Sequence, residues 1–123
     1  DDMIKNLIDE TNPSLIISFY PKFAVHPDHE ATGEAVVRTV GRMPKNERPR
    51  LTLVAFSNDA PDILGEPDIQ NDISKYKDIK IKAFEAHASQ TGPFLKELAS
   101  PQVDGQVHSF LEIEPFWTYH FES

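Results

Sequence analysis

The sequence predicts an α/β fold, on three observations. Two short apolar runs free of charge, LIISF at Leu15 to Phe19 and LTLVAF at Leu51 to Phe56, read as buried strands. Between them Ala31, Ala35, Val36, Val40 and Met43 recur at helical spacing on one face. Strand, helix and strand in that order form a βαβ unit, so the two strands are expected to be parallel and the crossover right-handed.

Taken in order, the chain begins with Met3, Ile4, Leu7 and Ile8 at helical spacing, and Asn12-Pro13-Ser14 ends that helix with turn chemistry. The first strand, Leu15 to Phe19, is continuous enough to be buried on both faces. In the helix that follows, Glu34 and Arg38 stand one turn apart as a surface ion pair, and the helix is expected to fray near Gly41 and stop before Pro44. NERPR is a polar connection to the second strand. SNDAPDILGEPDIQND, rich in Asn, Asp, Pro and Gly, is expected to be an exposed connection. Asp72 or Ser74 then caps a third helix ending near His87. Its apolar side is Tyr76, Ile79, Ala83, Phe84 and Ala86, with Lys75, Lys77, Lys80 and Lys82 solvated. FLKELAS reads as a short further helix, and the aromatic FWTYHF at Phe116 to Phe121 as a last strand at a sheet edge.

The totals exclude several classes of function. At 123 residues the chain is most simply one domain with an ordinary globular composition. Twelve Lys and Arg against twenty Asp and Glu leave a formal charge of -8, a field that repels phosphate backbones and anionic lipid, so neither nucleic acid nor a membrane is an expected partner. No cysteine is present, so any metal must use His, Asp or Glu, and a reducing, cytoplasmic setting fits. No apolar run approaches the roughly 20 residues needed to cross a bilayer. The chain opens at Asp1 directly into a helical pattern, which suggests a piece of a longer protein.

The candidate chemistry lies in YPKFAVHPDHE, Tyr20 to Glu30. His26 and His29 stand three residues apart, just past the carboxyl end of the first strand and at the start of a helix, where open α/β sheets bind ligands and where free N–H groups favour an oxyanion. The plain structural alternative is that His26 or Asp28 caps the helix, Pro27 fixes its first turn and His29 is a surface residue. A catalytic zinc usually takes three protein groups, and no third ligand is evident; Asp28 is better placed to orient one imidazole. His87, in EAHASQTGP, reads by default as a partly buried histidine or a dipole partner at a helix end, with Ser89 and Gln90 as turn residues. His108, His120 and Trp117 read as structural.

HPDHEATGEAVVR, LGEPDIQNDIS and DIKIKAFEAHASQT together resemble the C-terminal half of the LmbE-like, or PIG-L, family of zinc-dependent N-deacetylases, and among these the bacillithiol-biosynthesis deacetylases. The resemblance runs from about Leu15 to Gln90. It implies a Rossmann-like, three-layered and mostly parallel sheet with helices on both faces, here lacking its N-terminal strands. It also implies a mononuclear zinc and hydrolysis of the acetamide of an N-acetylglucosamine-type substrate. Carried residue by residue, it makes His29 the zinc ligand, His26 the group that stabilises the tetrahedral oxyanion or protonates the departing amine, and Asp28 its neighbour that tunes it. His87 matches the histidine of an HxSQ motif and, with Ser89 and Gln90, is given a pocket-wall or supporting role.

The family's early H-P-D-D-E stretch, which supplies two further zinc ligands and the aspartate base, is not present here. Ala24 stands where some branches carry a tyrosine. Residues 1–123 therefore read as the C-terminal portion of one deacetylase domain. That portion is expected to be stable with its complement, a segment bearing H-P-D-D-E, or as an oligomer, because its first strand would otherwise expose an edge and apolar faces. The alternative is a non-catalytic α/β binding or interaction module in which HPDH is only a helix start.

Overall fold

The computed structural model describes residues 1–87 and 111–121. Their elements are α1 (Asp2–Thr11), β1 (Leu15–Phe19), α2 (Pro27–Gly41), β2 (Arg50–Val54), α3 (Ala60–Leu64), β3 (Ile69–Asp72), α4 (Lys77–Ala86) and β4 (Ile113–Thr118). The fold is α/β, with a mixed four-stranded sheet in the order β1-β2-β4-β3. β1 and β2 are parallel, with Ile17 facing Thr52, as the βαβ reading requires. β4 runs antiparallel to β2 through Leu53 and Trp117. By packing, the chain divides into two compact units, Asp1–Ile69 with Pro115–Ser123, and Gln70–Glu114.

In the first unit the core lies on one face of β1 and β2. Leu51 and Leu53 are buried there with Ile8 of α1 and Val36 and Val40 of α2, and Ile4, Ile16, Tyr119 and Phe121 pack around them. Asn12 ends α1 in the left-handed conformation, φ 45°, where Asn is tolerated, and its N–H reaches the Ile8 carbonyl. Arg48 closes the far end of α2: its guanidinium donates to the carbonyl oxygens of Gly41 (2.8 Å) and Met43 (3.0 Å) and lies over the Phe121 ring. The Gly41 carbonyl is among the orphans every helix C-terminus presents.

Several sequence expectations need correction. On β1 only the Ile16 and Ser18 side is enclosed; Leu15 is 44% and Ile17 59% exposed, so the strand is not buried on both faces. Because side chains alternate along a strand, both project from the face opposite the helices. Arg38 does not pair with Glu34 but forks onto the Asp1 carboxylate at 2.8 and 2.9 Å, a bidentate contact stronger than a single i,i+4 pair. The Asn- and Asp-rich connection is not wholly irregular, since it contains α3 and β3. β3 takes the sheet edge, which places β4 inside the sheet instead of at its margin.

The second unit holds α4. Asp72 accepts the N–H and hydroxyl of Ser74, starting a 3-10 turn that leads into α4, and α4 ends at Ala86 with His87 as its cap. No residue of α4 is fully buried; Tyr76 and Ile79, expected on its apolar side, are exposed, while Ile81 and Phe84 are half-buried. The expected FLKELAS helix lies outside the described residues.

Candidate functional site

The segment between β1 and α2 is where sequence and geometry converge. Tyr20 to Phe23 form a turn closed by the Phe23 N–H on the Tyr20 carbonyl, with Pro21 at its first corner and Lys22 at φ 76° at its second. A positive φ there is the requirement that type II turns meet with glycine. A second turn follows at once. The His26 N–H donates to the Ala24 carbonyl at 2.9 Å around Val25, whose φ is 74°. This is the γ-turn of positive φ, rare and strained, and here it is made by a β-branched residue. Such conformations cost on the order of 1–3 kcal/mol each and persist only where the surroundings enforce them.

One carboxylate supplies much of that enforcement. Glu30, in the first turn of α2, accepts the N–H of Lys22 on one oxygen and those of Ala24 (3.0 Å) and Val25 (3.2 Å) on the other. These bonds, led by that from Lys22, hold the Glu30 carboxyl below its ordinary range. The Phe23 carbonyl meanwhile accepts the N–H groups of Phe56 and Ser57, tying the loop after β1 to the loop after β2.

His26 is the N-cap of α2. Its Nδ1 accepts the Asp28 N–H at 3.1 Å, and Pro27 occupies the first helical position, where the missing N–H costs nothing. The Asp28 carboxylate stands 3.9 Å from the same Nδ1 and is almost fully exposed, so Asp28 engages His26 first through its backbone. An accepting Nδ1 assigns the proton of the neutral ring to Nε2.

His29 sits one turn into the helix. Its ring stacks on Phe19, the last residue of β1, and stands 5.2 Å from the His26 ring and 5.9 Å from Phe56. Its Nδ1 is buried and has no hydrogen-bond partner. Buried imidazole nitrogens are nearly always satisfied, so this atom fits one ligand position of a divalent metal. Among the described residues no group of three or more His, Asp or Glu could hold an ion by itself.

Of the other predicted residues, His87 belongs to the second unit, and Ser89 and Gln90 lie outside the described residues. Ala24, at the position where some branches carry tyrosine, is buried within the loop. An open groove of about 500 Å³, lined in part by Lys5, Asp9, Asn12, Arg42, Asn46 and Glu47, contains none of these residues. No helix among the described residues is long and apolar enough to cross a membrane. Sequence reasoning missed Glu30 and Phe19. The signal for Glu30 was available, because a carboxylate in a first helical turn commonly reaches back to backbone N–H groups before it.

No protein-family model matches the chain. Curated relatives do. The chain is 47% identical over 123 residues to the "Probable N-acetyl-alpha-D-glucosaminyl L-malate deacetylase 2" of Bacillus cereus. It is 44% identical over 122 residues to the protein so named in Bacillus anthracis, and 40% over 122 residues to that of Bacillus subtilis. Each comparison covers 98% of this chain but 54 to 56% of the relative, so the chain spans about half the length of the curated relatives it matches. Identity at this level along nearly the whole chain is homology, and it bears out the resemblance carried by the motifs.

Proposed function

We propose that this chain, homologous to about half of the glucosaminyl malate deacetylases, forms part of a zinc-dependent hydrolase that removes acetyl from an N-acetylglucosaminyl malate-type substrate of bacillithiol biosynthesis. The observation that carries the reading is the 40 to 47% identity to those relatives over 98% of the chain. The geometry of the loop after β1 supports it.

In this reading His29 holds the metal through its unpartnered Nδ1. When bound, zinc would polarise the amide carbonyl and supply a nucleophilic water near neutral pH. The remaining work belongs to the chain's own groups. His26, with its proton on Nε2, donates a hydrogen bond to the charge developing on the carbonyl oxygen; where it serves the departing amine it acts as the imidazolium, giving up the Nε2 proton and returning to the neutral ring. Asp28 keeps that tautomer by donating its N–H to Nδ1, and its carboxylate stands ready to receive a protonated Nδ1. The Phe19 and Phe56 rings give the imidazole of His29 an apolar wall that limits water.

Two further zinc ligands and the aspartate base are assigned to an H-P-D-D-E segment from outside these residues. Among the described residues β1 ends the sheet order with Leu15 and Ile17 exposed, which supports a complement pairing there. The second reading, an interaction module, is favoured by one observation, that HPDH does serve as a helix start with His26 as its cap.

Paired substitutions in the full-length protein separate the two. His29→Ala is expected to lose zinc, whereas His26→Ala keeps zinc and loses roughly 10²- to 10⁴-fold in kcat, the usual worth of a positioned acid or base. Full zinc occupancy in His29→Ala would refute the ligand assignment, undiminished turnover in His26→Ala would refute the role given to His26, and a full-length parent that binds no zinc and hydrolyses no such amide would favour the module.

A further inference from the structure

We propose that Glu30 is a positioning residue: its carboxylate holds the strained double turn that delivers His26 to the start of α2. The proposal rests on the reading of His26 as the group that meets the substrate carbonyl.

Three observations converge on it. The loop has two non-glycine residues at positive φ, Lys22 and Val25, and the Glu30 carboxylate accepts the backbone N–H of both as well as that of Ala24 between them. Side-chain packing is not what holds the γ-turn at Val25, because that residue is 70% exposed. Finally, the γ-turn bond itself ends on the His26 N–H, so the backbone of His26 is placed by the same turn that Glu30 restrains.

Without the carboxylate, Val25 has no reason to stay at φ 74° and relaxes toward negative φ, where a β-branched residue belongs. The bond from His26 to Ala24 then opens, His26 swings off the helix axis, and its Nδ1 leaves the Asp28 N–H. His29 is spared, since its position comes from the helix and from the Phe19 ring. The loss therefore falls on the step that His26 serves and not on the metal ligand. This separates a positioning role from a general structural one.

The two oxygens of Glu30 also divide the work. Ala24 and Val25 share one oxygen and Lys22 uses the other. Glu30→Gln keeps one accepting oxygen and can retain the Val25 restraint, whereas Glu30→Ala retains neither. Val25→Gly removes the conformational penalty itself, because glycine takes positive φ freely.

The test uses the full-length, zinc-loaded protein with Glu30→Ala, Glu30→Gln and the double variant Val25→Gly/Glu30→Ala. Metal content, kcat and KM are measured, together with the ¹⁵N signature of the His26 ring at a pH where it is neutral. Glu30→Ala is expected to keep zinc and KM within about twofold while kcat falls about 10- to 100-fold, the scale of a displacement near 1 Å. Its His26 should lose the Nε2–H signature. Glu30→Gln should keep most of the rate, and Val25→Gly should restore several-fold in the Glu30→Ala background.

A Glu30→Ala protein with parental kcat overturns the proposal, as does one that loses zinc and rate together with an unchanged His26 signature. Failure of Val25→Gly to recover any rate overturns the role assigned to strain. If His26→Ala turns over as fast as the parent, the role given to His26 fails by itself, and the ring signature in Glu30→Ala still reports whether the carboxylate positions His26.

Discussion

The imidazole of His29 lies flat on the ring of Phe19, with centroids 4.2 Å apart and planes 6° from parallel. The last residue of β1 thus orients the first turn of α2, and the buried, unpartnered Nδ1 of His29 is aimed by that stack. Contacts that orient a metal-ligating imidazole typically carry about 10- to 100-fold in metal affinity. On the proposed role of His29 as a zinc ligand, Phe19→Leu, which keeps apolar bulk but removes the flat surface, should weaken zinc binding by about tenfold in the full-length protein. Competition with a chromogenic chelator measures this, and an unchanged affinity would show that the stack is incidental.

Gly33 stands where α2 crosses the end of β1. A Cβ at that position would overlap the Phe19 carbonyl oxygen, which is backbone and cannot swing aside. Gly33→Ala must therefore lift the helix off the strand, and with it the stack of His29 on Phe19. A destabilisation of about 1–3 kcal/mol is expected, the range for overpacking a close contact. Urea unfolding of parent and variant checks it, and a difference under about 0.5 kcal/mol, the size of an ordinary surface substitution, would mean the helix accommodates the methyl freely.

Arg48 combines hydrogen bonds to the carbonyl of Gly41, the last residue of α2, and to that of Met43 just beyond it with a cation–π contact to Phe121. Arg48→Ala should cost about 1–3 kcal/mol, since hydrogen bonds from a charged donor lie in that range and lost packing adds to them. Arg48→Lys should not restore the loss, because a point charge cannot fork onto two carbonyls while lying flat on a ring. Thermal melts of the three proteins decide it; a lysine variant matching the parent would reduce the role of Arg48 to its charge.

What could be read from the sequence was local. The runs Leu15 to Phe19 and Leu51 to Val54 are strands because β-branched and leucine residues occur together there without charge. Pro27 marks the first turn of α2 because its ring suits only that position. The pairing of HPDH with a strand end put His26 and His29 where they are. Long-range choices were not legible. Arg38 selects Asp1, 37 residues away, over Glu34 one turn away, and β4 goes inside the sheet because β3 forms from a stretch whose composition reads as loop. The γ-turn at Val25 was hidden for another reason: nothing in a valine signals positive φ, and the cause is a carboxylate five residues later.

Asp68 offers a test of acid behaviour in the first unit. Its carboxylate accepts the hydroxyl of Thr118 at 2.6 Å and the Thr118 N–H at 2.7 Å, and these bonds, with the hydroxyl first, hold it below the ordinary carboxylate range. A carboxyl whose pKa is lower folded than unfolded binds protons more readily in the unfolded chain. Its contribution to stability is therefore fully present above the unfolded value, near about 4, and is lost as pH falls through the folded value. Asp68→Asn and Thr118→Val should both be less stable than the parent at about pH 7, with the gap closing as pH drops below about 4. The group is exposed, so solvent keeps the difference small. Unfolding midpoints collected from about pH 7 down to about pH 3 would show the convergence. Curves that stay parallel throughout would mean that Asp68 anchors β4 by geometry alone and that its charge contributes nothing.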